Sequence, residues 1–261
     1  MKIYQVDTFT EEPFKGNPAA VCILNEPKED KWMYNVAEEM SLPETAFIHN
    51  KEGRYTLRWF TPTHEVDLCG HATLASAKVL WATGMVQKVK DIDFHTKSGV
   101  LTARSKGEWI ELDFPIEAEE KVEPPKKLLE ALNVVPKYVG KNRMDYLIEV
   151  DNEDIVRGIE PDFRKLKEVD TRGVIITSSS DSNQYDFVSR FFAPAIGIDE
   201  DPVTGSAHCC LAPYWNKKLN KNEFIAYQAS QRGGTLKIRF GKERVYLSGK
   251  AIMVMDGDLL A

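Results

Sequence analysis

No apolar run in this sequence approaches the about 18 residues that a membrane-crossing helix requires, although hydrophobic residues make up 43 % of the chain. An excess of positive charge is also missing. Lys and Arg number 34 against 40 Asp and Glu, a net charge of −6, so no basic face invites a nucleic acid partner. Cysteine is scarce, and Cys22, Cys69, Cys209 and Cys210 lack the spacing of a disulfide framework or a zinc site, which points to a reducing compartment. Met1-Lys2-Ile3-Tyr4 opens directly into a strand-like pattern and not a secretion signal. A soluble, cytoplasmic protein with no membrane partner is the expectation. Its 261 residues suit one large domain or two small ones, and bury roughly 70–75 % of the unfolded surface without a staple.

What the chain does contain is an internal repeat. Arg58-Trp59-Phe60-Thr61-Pro62 returns as Arg190-Phe191-Phe192-Ala193-Pro194, and Gly70-His71-Ala72 as Gly205-Ser206-Ala207. Ser98–Arg104 matches Gly233–Arg239, followed in register by Trp109–Leu112 and Arg244–Leu247. Three matches in one order, each about half a chain away, indicate two related domains and not a solenoid. The boundary is expected in the Pro/Glu/Lys-rich stretch Pro115–Lys127, dividing the chain into 1–117 and 118–261, with the last strand able to cross back.

Tyr55–Phe60 and Phe187–Phe192 carry the aromatic and β-branched residues of strands. From His71 to Thr83, small and apolar residues run nearly all round and stop at Gly84, the pattern of a buried helix. Its counterpart runs from Ser206 towards Leu219, with Pro213 expected to bend it. Ser98–Arg104 and Trp109–Leu112 form a hairpin, as does their copy. The fold class is therefore α+β: two pseudo-symmetric domains, each a mixed β-sheet or barrel wrapped around a central helix.

Two related domains facing each other would make a cleft, a favoured ligand site, and polar residues present in only one half are the candidates for chemistry. Gly70 and Gly205 begin the two helices, whose unpaired N–H groups and positive dipole ends suit a small anionic substrate. His71 stands where the second half has Ser206, and a helix terminus favours its neutral imidazole. In Asp199-Glu200-Asp201-Pro202 one carboxylate is expected to cap the second helix; the alternative for Asp201 is to orient His71 or bind a substrate amine. Glu44 enters an apolar strand, where burial favours the protonation range of a general base. Aligning Ala46-Phe47-Ile48 with Val174-Ile175-Ile176 sets Glu44 opposite Arg172.

Five ordered blocks resemble the phenazine-biosynthesis PhzF-like isomerase family of the diaminopimelate-epimerase-like superfamily. They are Val6–Thr10 with Pro13–Val21, Glu44-Thr45-Ala46-Phe47, Phe60-Thr61-Pro62, Cys69-Gly70-His71-Ala72-Thr73, and Asp201-Pro202-Val203-Thr204-Gly205-Ser206-Ala207-His208. The resemblance implies a diaminopimelate epimerase-like fold with the active site between the domains. It also implies isomerisation by proton transfer without a cofactor or metal, and a homodimer. The family's catalytic Glu falls on Glu44, and its supporting residues on His71, Asp201 and Ser206.

Two rival readings follow from the same residues. The superfamily's racemases and epimerases use two thiols; Cys69 resembles the first, but Pro202-Val203-Thr204-Gly205 offers no second. A non-catalytic metabolite-binding protein is the other. Metal binding by His208-Cys209-Cys210 fails, because consecutive helical residues point about 100° apart.

Overall fold

The aromatic and β-branched runs do form strands. The computed structural model describes residues 1–261, which cluster into two units, Met1–Asp113 with Ser248–Ala261, and Phe114–Leu247.

The first unit holds β1 (Lys2–Thr8), β2 (Asn17–Leu24), α1 (Asp30–Met40), β3 (Glu44–Lys51), β4 (Arg54–Phe60), β5 (Glu65–Val66), α2 (Gly70–Ala82), β6 (Ile92–Thr96), β7 (Gly99–Lys106) and β8 (Trp109–Pro115). The pairs β1/β2, β3/β4, β6/β7 and β7/β8 are antiparallel, whereas β2/β3 and β4/β6 are parallel. The chain's last strand, Ala251–Asp258, pairs antiparallel with β1, setting Lys2 opposite Asp258.

Helix α2 is buried from His71 through Ala77 and again at Val79 and Leu80. It touches β1, β2, β3, β7 and the last strand, which come from both ends of the pairing order, so the sheet curls around it. Thr83 caps it, and Gly84 follows in a left-handed conformation at φ 75°. Helix α1 was not anticipated. Its Met33, Val36 and Ala37 recur at helical spacing and pack on Ile3, Cys22, Leu24, Phe47 and Phe60. Because side chains alternate along a strand, Phe47 facing α1 turns Glu44, Ala46 and Ile48 to the other face, towards α2.

The second unit holds β9 (Glu120–Lys121), α3 (Lys126–Leu132), β10 (Tyr138–Lys141), β11 (Asp145–Glu149), α4 (Glu153–Gly158), α5 (Phe163–Leu166), β12 (Gly173–Ser179), β13 (Phe187–Phe192), α6 (Gly205–Leu219), β14 (Glu223–Gln228), β15 (Gly234–Phe240) and β16 (Arg244–Gly249); the returning strand is β17. From β10 to β15 the pairs run antiparallel, parallel, antiparallel, parallel, antiparallel. That is the order of the first unit from β1 to β7, so the sequence repeat is a repeat of topology. Helix α6 is continuous through Pro213. It is held against the sheet by Tyr214 Oη donating to Glu149 (2.7 Å) and Trp215 Nε1 donating to Thr177 (3.1 Å).

The ladders also settle the alignment of the two halves. Arg58 lies over Phe60 and makes a two-bond pair with Glu65; Arg190 lies over Phe192 and makes the same pair with Glu200. Phe47 pairs with Arg58, and Ile176 with Arg190. Phe47 therefore corresponds to Ile176, and Glu44 to Gly173 instead of Arg172. The faces agree: Val174 and Ile176 pack in a cluster with Leu128, Val156 and Leu166 of α3 to α5, as Phe47 packs on α1, while Thr177 meets α6. A one-residue slip would turn every side chain of β12 over.

Candidate active site

Glu44 is the first residue of β3, and His71 the second of α2. With Glu44 on the face that receives α2, the two meet: His71 Nε2 lies 3.1 Å from Glu44 Oε2, with side chains 7 % and 12 % exposed. The contact lies off hydrogen-bond alignment, since neither atom has an aligned partner. On the other side of the ring, Nδ1 is 3.5 Å from Cys69 Sγ. Burial opposes a charged imidazole, but Cys69 and Glu44 on the two sides of the ring together outweigh it and raise the His71 pKa well above the usual histidine range. Burial, with the Glu44 charge beside it, pushes the Cys69 thiol up.

The second unit answers differently at each corresponding position. Gly173 replaces the acid, and its place is filled by Phe191, whose Cζ would lie 2.3 Å from an added Cβ. Thr204 stands where the first unit has Cys69, and Ser206 where it has His71. The Thr204 hydroxyl donates to Asp201 Oδ2 (2.5 Å). Buried Gln228 accepts the Thr204 N–H at 2.8 Å and donates to the Asp201 carbonyl at 2.7 Å. Asp201 therefore braces the approach to α6 through Thr204, while Glu200 is committed to Arg190. Ser206 Oγ accepts from Arg172 Nη2 at 3.0 Å. The same guanidinium grips fully buried Asp145, with Nε 2.8 Å from Oδ1.

The structure thus joins Glu44 to His71 at the start of α2, and groups Asp201 and Ser206 about the start of α6, where Gly205 is the first helical residue as Gly70 is in α2. Two participants, Asp145 and Gln228, were not legible in the sequence. Arg172 was noticed only through a misaligned register. Asp145 and Gln228 are single polar residues at strand ends, with no local pattern to distinguish them. All four cysteines are free and buried, and burial pushes each thiol up. No helix is long and apolar enough to cross a membrane.

The profile of the phenazine biosynthesis-like proteins matches residues 6–257. An uncharacterized isomerase of Halalkalibacterium halodurans is 57 % identical, over 99 % of this chain and 98 % of its own. An uncharacterized isomerase of Pseudomonas aeruginosa is 46 % identical over the same shares. The crystal structure of a PhzF-family phenazine biosynthesis protein from Enterococcus faecalis is 43 % identical and superposes with a TM-score of 0.95, covering 100 % of this chain and 99 % of that one. The chain belongs to the phenazine biosynthesis-like (PhzC-PhzF) family of isomerases.

Proposed function

We propose that this isomerase moves a proton on a small carboxylate-bearing metabolite, without a cofactor, using Glu44 as the general acid/base. The observation that carries the reading is the buried contact at the start of α2: Glu44 Oε2 stands 3.1 Å from His71 Nε2, whereas the corresponding position of the second unit is Gly173. In the reaction Glu44 takes a proton from a carbon activated by the substrate, and the C–H electron pair moves into the conjugated system. Glu44 then returns the proton to another carbon, so atoms and electrons balance. A positioned base supplies roughly 10²- to 10⁴-fold in rate. His71 and Asp201 orient the substrate or relay the proton. The Ser206 hydroxyl, with the helix starts at Gly70 and Gly205, stabilises carboxylate or developing enolate charge.

The test is solvent-deuterium incorporation, followed by NMR, across a panel of small amino, hydroxy and unsaturated acids in heavy water. At least one acid should exchange a C–H proton with the native enzyme, and Glu44→Gln should lose that exchange by at least about 10²-fold while remaining folded. Exchange retained by Glu44→Gln removes it from the mechanism. A Cys69-dependent racemase is the second reading, favoured by the 3.5 Å contact of Cys69 with His71. Against it stand Thr204 in place of a second thiol and the burial that keeps Cys69 protonated. Cys69→Ser separates the two: exchange survives it under the Glu44 reading and fails under the other.

A further inference from the structure

One ligand atom each from Glu44, Cys69 and His71 lies within 4.8 Å of the others. His71 is 6 % exposed, and its Nε2 and Glu44 Oε2 both lack an aligned hydrogen-bond partner although they are 3.1 Å apart. Two buried groups are therefore in contact without an aligned hydrogen bond between them. We propose that this trio is a binding site for a soft divalent ion, Zn²⁺ above all, which would disable the enzyme by occupying its acid/base.

The donor set selects the metal. Thiolate, imidazole and carboxylate together are zinc ligands, whereas magnesium and calcium prefer oxygen alone. Bonds of about 2.0–2.3 Å in a tetrahedral site give ligand-to-ligand edges of about 3.3–3.8 Å. Whichever ring nitrogen binds, one edge is already close to that, 3.1 Å from Nε2 to Glu44 or 3.5 Å from Nδ1 to Cys69, and the three donor atoms lie within 4.8 Å of one another. Sulfur and carboxylate lie against different ring nitrogens, however, so the ion must draw the three atoms together by side-chain rotation. The positive end of α2 alone would repel a cation, but it also stabilises a thiolate at the Cys69 N-cap. With Cys69 and Glu44 both negative, the +2 charge is neutralised within the site. On binding, the Cys69 S–H bond and one His71 N–H bond break, both protons leave to solvent, and sulfur–metal and nitrogen–metal bonds form, without oxidation or reduction.

Cobalt(II) titration of the native protein provides the test, with Zn²⁺ as competitor. A sulfur-to-cobalt charge-transfer band should grow to one equivalent per chain, with release of about two protons, one from Cys69 and one from His71, and zinc should abolish it. Cys69→Ser should lose the band; His71→Asn and Glu44→Gln should weaken binding roughly tenfold or more. Absence of the band in the native protein overturns the site, as does its persistence in Cys69→Ser, which would assign it to another cysteine. If Cys69→Ser misfolds by circular dichroism, unchanged cobalt affinity in folded His71→Asn overturns it equally. The inhibitory consequence alone rests on Glu44 being the acid/base. A site that binds cobalt yet leaves deuterium exchange intact would refute that assignment and not the binding.

Discussion

His208 provides the sharpest quantitative test of the second unit. It is fully buried in α6, its Nδ1 donates to the Thr204 carbonyl at 2.8 Å, and its ring stacks on Phe187. Nε2 is buried with no acceptor for a second proton. Burial, only partly offset by the bond to Thr204, pushes its pKa down to about 4, against about 6.5 in an unfolded chain. Between those values the unfolded state binds a proton that the folded state refuses, so stability rises with pH and is lost as pH falls from 6.5 towards 4. The full difference is about 3 kcal/mol, of which about 2 kcal/mol is lost between pH 7 and pH 5. Urea unfolding of the native protein and His208→Gln at those two pH values measures it. Trp215, stacked on Phe187 at 5.4 Å, reports on the same neighbourhood, and Trp215→Phe identifies its share of the fluorescence. The variant is expected to be weaker at pH 7, with the gap closing by about 2 kcal/mol at pH 5, because glutamine does not titrate. A gap constant to within about 0.5 kcal/mol would refute the neutral, unsatisfied histidine.

Two other expectations rest on separate contacts. His71 should titrate above the usual histidine range and His208 below it in an NMR titration, and Glu44→Gln should lower the His71 value by removing the charge beside Nε2; an unmoved His71 would deny that coupling. Gly173→Ala should destabilise the second unit by about 1–3 kcal/mol in urea, because an added methyl meets the Phe191 ring, which has little freedom to retreat. Native-like stability would mean that β12 shifts cheaply.

The sequence by itself determined the duplication, the two buried helices, their starts at Gly70 and Gly205, and the α+β class. Each is local or periodic: hydrophobic spacing shows which element forms and which stripe it buries. It also isolated Glu44, His71, Asp201 and Ser206, because comparison of two copies separates shared architecture from polar exceptions. Register was decided only in the folded chain. Apolar residues alike on both faces of β12 cannot reveal a one-residue slip, whereas the ladder to β13 does, and it exchanges Arg172 for Gly173 as the partner of Glu44. The return of β17 to β1, the brace of Gln228 on Thr204, and the Arg172–Asp145–Ser206 chain join residues distant in sequence. Such long-range pairings depend on how strands close around a helix in three dimensions, and no local pattern encodes that closure.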